Sequence, residues 1–207
     1  MKPQENTAKA IRRAVARTPA GEPFASRSLS AKGGQAAVQK ALSRLVQSGA
    51  VCRVANGVFM RPEKSPYVSG DVPADLTKVV KAIAERTGAT VQMHGAEAAV
   101  RMGLTTQVPM QAIFQTSGPT RQIKVGARNI RLQRVSTRKL ALAGRPAGIA
   151  LTALWYLGKQ EVLPSTFEKI SRKLGATEFK ALTGARAQMP GWMVKVLDRY
   201  VADHGIG

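Results

Sequence analysis

Hydrophobic residues recur at helical spacing near the start of the chain. Ala8, Ile11, Ala14 and Val15 predict a first helix over roughly residues 4 to 17. Prolines and glycines then interrupt the pattern, and residues 24 to 29 predict a short extended segment followed by a brief second helix. The chain therefore opens with a helix, a break and a second short helix.

A stronger helical pattern covers residues 35 to 48. Val38, Leu42, Leu45 and Val46 are expected to share the buried face of this third helix, and Gly49 stands where a C-terminal cap is expected. The other side of the helix is polar, which leaves it available for contact with a partner.

The segment VCRVANGVFM predicts a β-hairpin. Its valines and Phe59 are good strand formers, and Asn56-Gly57 is a strong two-residue turn signal because both residues tolerate positive φ. Helix, short helix, longer helix and hairpin follow one another in the order of a winged helix-turn-helix.

Three prolines and a glycine between residues 61 and 73 predict a domain boundary. We expect a winged helix-turn-helix DNA-binding domain at 1–70 and a second domain at 71–207. In the second, hydrophobic patterning predicts helices at 73–87 and 94–102, strands at 90–92, 111–115, 122–125 and 130–135, and helices at 146–156, 165–174, 177–187 and 190–201. In the last of these, Trp192, Val196, Leu197 and Tyr200 are expected to face inward. The predicted class is α+β, with the winged helix-turn-helix followed by a mixed domain that has a small sheet and a helical C-terminal part.

The charge balance indicates a polyanionic partner. The chain carries 32 Lys and Arg against 12 Asp and Glu, a formal net charge of +20. An anionic membrane surface would require basic residues opposite an apolar strip on one helix, and no segment combines the two. Residues 1–70 hold 12 basic and 3 acidic side chains. Double-stranded DNA is therefore the expected partner.

The third helix carries polar side chains suited to the major groove. Gln can form paired hydrogen bonds with adenine, and Lys favours guanine or phosphate. Basic and hydroxyl residues before the helix, and polar residues of the hairpin, are expected on phosphates or in the minor groove. The predicted DNA-binding set is Arg27, Ser28, Lys32, Gln35, Gln39, Lys40, Ser43, Arg44, Arg53, Asn56 and Arg61.

A second basic surface is predicted in the second domain. Seven basic residues and no acidic ones lie between residues 118 and 139. Alternation along the two strands is expected to place the apolar residues against helices and the basic ones on an open face. The candidates are Arg121, Lys124, Arg128, Arg131 and Arg134.

The sequence does not favour an enzyme. Its acidic residues are scattered, no phosphate-binding glycine loop occurs, and we expect no catalytic residue, metal or cofactor. His94 and Glu97 lie three apart on a predicted helix, and we interpret this pair as structural. Cys52 is interpreted as a small strand residue rather than a nucleophile. A single cysteine, together with the lack of a signal peptide and of a long apolar run, predicts a cytoplasmic protein.

Two stretches resemble the AbiEi-type antitoxins, which regulate abortive-infection toxin–antitoxin pairs. The first, residues 36 to 62, matches a helix ending in L-x-R-L-x-x-x-G and a hairpin of R-x-x-x-G-x-[YF] type, with Phe59 where Tyr is commoner. The second, HGAEAAVRMGLTTQVPMQAIFQTSGPTRQIKVG, is similar to the G-A-x-A-A-x-x-x-G-L-[ST]-T-Q-V-P stretch of that family and is the more specific of the two. The resemblance spans most of residues 5 to 140.

The resemblance implies a transcriptional autorepressor that binds repeats in its own promoter. It also implies antitoxin activity towards a nucleotidyltransferase-like toxin encoded nearby, without a stable complex between the two. Two alternatives stay open. One is a protein-interaction module whose charge matches an acidic partner, and the other is RNA binding, which the scarcity of aromatic residues disfavours.

Overall fold

The computed structural model describes residues 7–66 and 70–205 and divides the chain into two compact units. The first comprises Met1–Ala89 with the segment Ile123–Asn129, and the second comprises Thr90–Gln122 with Ile130–Gly207. The described residues form an α+β fold with seven α-helices and seven strands. No helix in these two ranges is long and apolar enough to cross a membrane.

The first unit contains three α-helices, a 3₁₀-helix and a three-stranded sheet. Its elements are α1 (Thr7–Arg17), β1 (Pro23–Ala25), the 3₁₀-helix (Ser26–Lys32), α2 (Gln35–Gln47), β2 (Cys52–Ala55), β3 (Val58–Met60) and α3 (Leu76–Thr87). The strands are antiparallel in the order β1-β3-β2. The start predicted for α1, residues 4 to 6, lies outside the described residues.

A core of aliphatic side chains and one phenylalanine holds the first unit together. Leu42 on α2 and Ile11 on α1 are fully buried, and Phe59 on β3 is 1% exposed. The ring of Phe24 stacks on that of Phe59 with 6.2 Å between centroids, since the two residues are opposite one another in β1 and β3. This packing fixes α2 and the hairpin on one framework.

The prediction for the buried face of α2 was right for three positions and wrong for one. Val38, Leu42 and Leu45 are buried, but Val46 is 36% exposed and Ala41 is buried in its place. A helix advances about 100° per residue, so positions 38, 41, 42 and 45 form one stripe while 46 falls beside it.

Helix α3 belongs to the first unit in the structure, although the sequence boundary assigned it to the second. It contacts β1, β3 and the 3₁₀-helix. Its predicted start at Pro73 was early, because the side chain of Asp75 accepts hydrogen bonds from the amides of Thr77 and Lys78 and caps the helix there. The prolines between 61 and 73 therefore mark a loop within the unit.

The second unit contains most of a mixed sheet and all of the later helices. Its residues form, wholly or in part, β4 (Val91–Met93), α4 (Gly95–Arg101), β5 (Ala112–Thr116), β6 (Arg121–Val125), β7 (Arg128–Arg134), a 3₁₀-helix (Thr137–Leu140), α5 (Pro146–Glu161), α6 (Pro164–Gly184), a 3₁₀-helix (Arg186–Gln188) and α7 (Gly191–His204). The segment Ile123–Asn129, which holds the end of β6 and the start of β7, belongs to the first unit. The strand order is β4-β5-β7-β6, with β4 antiparallel and β7 parallel to β5.

A helical core fills the second unit. Leu151, Leu154, Phe167, Met193 and Leu197 are all fully buried within it. On α7 the prediction included Leu197 and Tyr200 but missed Met193, while Trp192 and Val196 are only partly buried.

Two glycines interrupt the long helices of the second unit. Gly158 in α5 and Gly175 in α6 have positive φ and non-helical ψ. The break at Gly175 separates the two helices that the sequence predicted in this region.

Candidate nucleic-acid interface

One side of α2 is polar and exposed. Gln35, Lys40, Ser43 and Arg44 are exposed and Gln39 is half-buried, as expected for the side opposite the buried stripe. No acidic residue occurs anywhere in α2. The helix therefore presents hydrogen-bond donors and acceptors to a partner without a negative charge of its own.

Three further residues of this exposed side were missed in the sequence analysis. Ala36, Ala37 and Gln47 are all exposed. Helical spacing places Ala36 and Gln47 beside Lys40 and Ser43, so the spacing itself could have identified them. The two alanines carry only methyl groups, which allow the start of α2 to approach a partner surface closely and to contact a thymine methyl.

The hairpin turns at Asn56 and Gly57 as predicted, but by a different backbone conformation. Gly57 has φ +70°, whereas Asn56 does not have a positive φ. Ala55 is paired with Val58, and the register shifts between Arg53 and Ala55, which indicates a bulge in β2. The predicted reason, positive φ at both turn residues, was therefore wrong for Asn56.

Arg53 is exposed on the hairpin and oriented by an aromatic ring. Its guanidinium carbon lies 5.4 Å from the centroid of the Phe59 ring. The buried ring cannot move freely, so it limits the directions in which the guanidinium can point. Arg53 thus extends from the hairpin in a restrained conformation.

Helix α2 and the hairpin share a surface cavity of about 650 Å³, which we call the notch. Gln35, Val38 and Gln39 of α2 line it together with Arg53, Asn56 and Gly57 of the hairpin. The 3₁₀-helix contributes Ser26, Arg27 and Ser30 to its lining, and α3 contributes Arg86 and Thr87. None of these described lining residues is acidic, so the notch is a cationic depression.

The three residues predicted to contact phosphates before α2 lie in different surroundings. Arg27 lines the notch and donates from Nη1 to the Arg86 carbonyl at 3.1 Å. The Ser28 hydroxyl donates to the Ala25 carbonyl at 2.8 Å. Lys32 lies with Arg13 and Arg17 of α1 around a smaller cavity of about 130 Å³. The structure brings only Arg27 of the three to the notch.

The Arg61 side chain binds the C-terminal end of α1. Its Nη1 donates to the carbonyls of Ala16 at 3.2 Å and Thr18 at 2.7 Å, beside the last residues of α1. A cation bound to terminal carbonyls stabilises the C-terminal end of a helix. The guanidinium of Arg61 therefore caps the C-terminal end of α1, and its predicted contact with DNA stays a prediction.

Strand alternation divides the five arginine and lysine residues of the predicted second basic surface into two groups. On β7, Arg131 lies between the buried Ile130 and Leu132 and therefore belongs to the opposite face of the strand. Arg128 and Arg134 are an even number of positions from those two residues and therefore belong to their face.

On β6, Lys124 is adjacent to the buried Val125 and belongs to the opposite face of the strand, whereas Arg121 belongs to the same face as Val125. Side chains in a strand have a period of two, so only Lys124 and Arg131 fit the expected alternation. The wider basic surface, with Arg121, Arg128 and Arg134, stays a prediction.

The structure shows the local surroundings of Cys52 and of His94. Burial, with a smaller contribution from Asp71, raises the pKa of the Cys52 thiol, and its Sγ lies 3.5 Å from the Met60 carbonyl. His94 precedes α4, and its Nδ1 accepts a hydrogen bond from the Ala96 amide at 3.3 Å. Among residues 7–66 and 70–205, no three His, Cys, Asp or Glu side chains are grouped to hold a metal.

The N-cap role of His94 predicts a pH-dependent stability. Burial lowers the pKa of His94, and its Nδ1 must stay unprotonated to accept from Ala96. The unfolded chain, where a histidine has a pKa of about 6.5, therefore binds the proton first as the pH falls. The contribution is fully present above that value and decreases as the pH falls towards the lower, folded-state pKa.

We expect His94→Asn, which keeps an N-cap oxygen without titrating, to lose less stability than wild type between about pH 8 and about pH 5. Chemical denaturation at a series of pH values measures this difference. His94→Ala is the control, because it removes both the cap and the titration and should be less stable by about 1 kcal/mol at neutral pH. Parallel pH profiles for wild type and His94→Asn would contradict the assignment.

Comparison with known families gives one result. A model of a family of unknown function, DUF6088, matches residues 9–182 of the chain. The matched range includes α2, the hairpin and every residue that lines the notch. Comparison with curated protein sequences gives no match.

Proposed function

Since the chain belongs to the DUF6088 family, whose function is unknown, we propose a function from its own geometry: its first unit is a winged helix-turn-helix that binds double-stranded DNA sequence-specifically. In this proposal α2 is the recognition helix and the β2–β3 hairpin is the wing. The observation that carries it is the shared, acid-free notch between the polar side of α2 and the arginine-bearing hairpin.

The dimensions and side chains of α2 support insertion in the major groove. An α-helix with its side chains is about 10–12 Å wide, which the groove of B-DNA accommodates. Ala36 and Ala37 leave room for close approach, while Gln39, Lys40 and Ser43 carry groups that hydrogen-bond to base edges. The proposed reading residues are therefore Gln35, Gln39, Lys40 and Ser43, with Arg44 near the phosphates.

The wing supplies contacts that do not depend on sequence. Arg53 and Asn56 are exposed on the hairpin, and the Phe59 ring restrains Arg53. Contacts of this kind position a protein on the duplex and account for most of the salt dependence of binding.

The biological role follows the resemblance to the AbiEi-type antitoxins. We propose that the DNA is the promoter of the protein's own gene and that the protein represses it. Antitoxin action towards a neighbouring nucleotidyltransferase-like toxin remains a prediction from the same resemblance. Binding to an acidic protein instead of DNA is the competing hypothesis, and the next experiment separates the two.

Fluorescence anisotropy with a duplex from upstream of the gene and an unrelated duplex tests the proposal. We expect both to bind at low ionic strength, the upstream duplex more tightly, with affinity that falls steeply as salt increases. Arg53→Gln should reduce the slope of log K against log salt by about 0.9. Arg61→Gln, which also removes one charge but from the α1 cap, should leave the slope near the wild-type value.

Two outcomes would contradict the proposal. If neither duplex binds at low ionic strength, DNA is not the partner, and an acidic protein becomes the leading candidate. If both duplexes bind with equal affinity, the protein is a nonspecific cation, and α2 does not act as a recognition helix.

A further inference from the structure

The notch has a wall that the proposed recognition elements do not supply. Arg86, near the C-terminal end of α3, lines it together with residues of α2 and the hairpin. It lies beyond the domain boundary predicted between residues 61 and 73 and is absent from the predicted DNA-binding set.

The Arg86 side chain lies against the turn of the hairpin. A Cβ added at Gly57 would lie 2.6 Å from Nη1 and 3.2 Å from Cδ of Arg86. The positive φ of Gly57 favours glycine there, and the end of the Arg86 side chain lies directly against it. In the described structure Nε of Arg86 is buried and has no hydrogen-bond partner.

Two other guanidinium groups share the notch and are held by different contacts. Arg27 is bonded to the Arg86 carbonyl, and Arg53 lies over the Phe59 ring. Three positive groups thus line one cavity whose described walls contain no carboxylate. Like charges brought together repel one another, and an anion between them removes that repulsion.

We propose that the notch binds one phosphate group of the DNA backbone, with Arg86 as a phosphate-binding residue alongside Arg27 and Arg53. Guanidinium groups suit this ligand because each presents several N–H donors in a planar fork to the phosphate oxygens. A phosphate seated here lies between α2 and the wing, where it fixes the register of α2 along the groove. This inference rests on the proposed function, because it names the DNA phosphate as the ligand.

The test compares Arg86→Gln with Lys81→Gln, an exposed lysine on the same helix that does not line the notch. Both variants lose one positive charge. We expect Arg86→Gln to weaken binding to any duplex by about tenfold and to reduce the salt slope by about 0.9, while the ratio of affinities for upstream and unrelated duplexes stays unchanged. Lys81→Gln should change the affinity by much less.

A second measurement uses inorganic phosphate alone. In heteronuclear NMR spectra at constant ionic strength, added phosphate should shift the amide signals of Ser26 and Gly57 in wild type and in Lys81→Gln, but not in Arg86→Gln. Thermal unfolding of each variant shows whether it is folded. An alternative variant, Arg86→Lys, keeps the charge without the planar fork and should recover only part of the affinity.

The two measurements separate failure of the notch from failure of the proposed function. If wild type binds DNA but Arg86→Gln and Lys81→Gln behave alike, the notch is not a phosphate site, although α2 still binds DNA. If wild type binds no duplex but phosphate shifts the notch signals, the DNA assignment fails while the anion site stands. If phosphate shifts no signal and no duplex binds, both are overturned.

Discussion

Replacing Gln39 and Lys40 together by alanine is expected to remove most of the preference for the cognate duplex while leaving nonspecific binding largely intact. Both side chains lie on the exposed side of α2, with Gln39 half-buried at the edge of the notch and Lys40 fully accessible. A paired hydrogen bond to the correct base contributes about 1–3 kcal/mol of discrimination. Loss of two such contacts, about 2–6 kcal/mol in total, corresponds to roughly 30-fold to 20,000-fold in relative affinity.

A duplex enriched by the wild-type protein from a randomised library provides the cognate site for this measurement. The chain offers a closely matched control in Lys159 and Gln160, an adjacent exposed pair of the same two residue types on α5 of the second unit. Lys159→Ala/Gln160→Ala removes the same charge and should keep the preference. If the α2 double variant retains the wild-type preference, α2 is not the recognition helix, whatever the overall affinity.

Local periodicity was enough to predict the elements that carry this candidate site. The spacing of Val38, Leu42 and Leu45 gave the buried stripe of α2, and the polar residues opposite it are exposed in the structure. The Asn-Gly signal placed the hairpin turn correctly, because only two residues separate the paired Ala55 and Val58. Such features depend on neighbouring residues, so the sequence alone contains them.

Features that depend on distant contacts were not predictable in the same way. Arg61 binds carbonyls 43 and 45 positions earlier, and Arg27 binds a carbonyl 59 positions later. No local pattern distinguishes such arginines from solvent-exposed ones. Arg86 was missed because a proline-containing loop was interpreted as a domain boundary, which removed α3 from the first unit.

The predicted second basic surface depends on alternation along strands rather than on distant contacts. The period of two in β6 and β7 was available from the sequence, and it places Arg128 and Arg134 in phase with Ile130 and Leu132. The prediction applied this alternation to Lys124 and Arg131 and also included Arg121, Arg128 and Arg134 from the same basic run. Charge density alone therefore cannot define a face.

Phe59→Ala is expected to have the largest effect on stability in the first unit. Phe59 is 1% exposed, packs in the core beneath α2, stacks on Phe24 and supports Arg53. Truncation of a buried phenylalanine costs about 3–5 kcal/mol, a large part of the 5–15 kcal/mol by which a typical domain is stable. DNA binding should fall in parallel with the folded fraction of this unit.

The two tryptophans allow the unfolding of the second unit to be followed separately from that of the first. Trp155 and Trp192 both belong to the second unit, so their fluorescence follows that unit, whereas circular dichroism follows helices of both. In denaturant titrations we expect Phe59→Ala to move part of the circular dichroism transition to lower denaturant and to leave the fluorescence midpoint close to wild type. Phe167→Ala, at a fully buried position in the second core, should move the fluorescence midpoint instead. Equal shifts of the fluorescence midpoint in both variants would contradict the assignment of separate cores, because each core would then determine the stability of the whole chain.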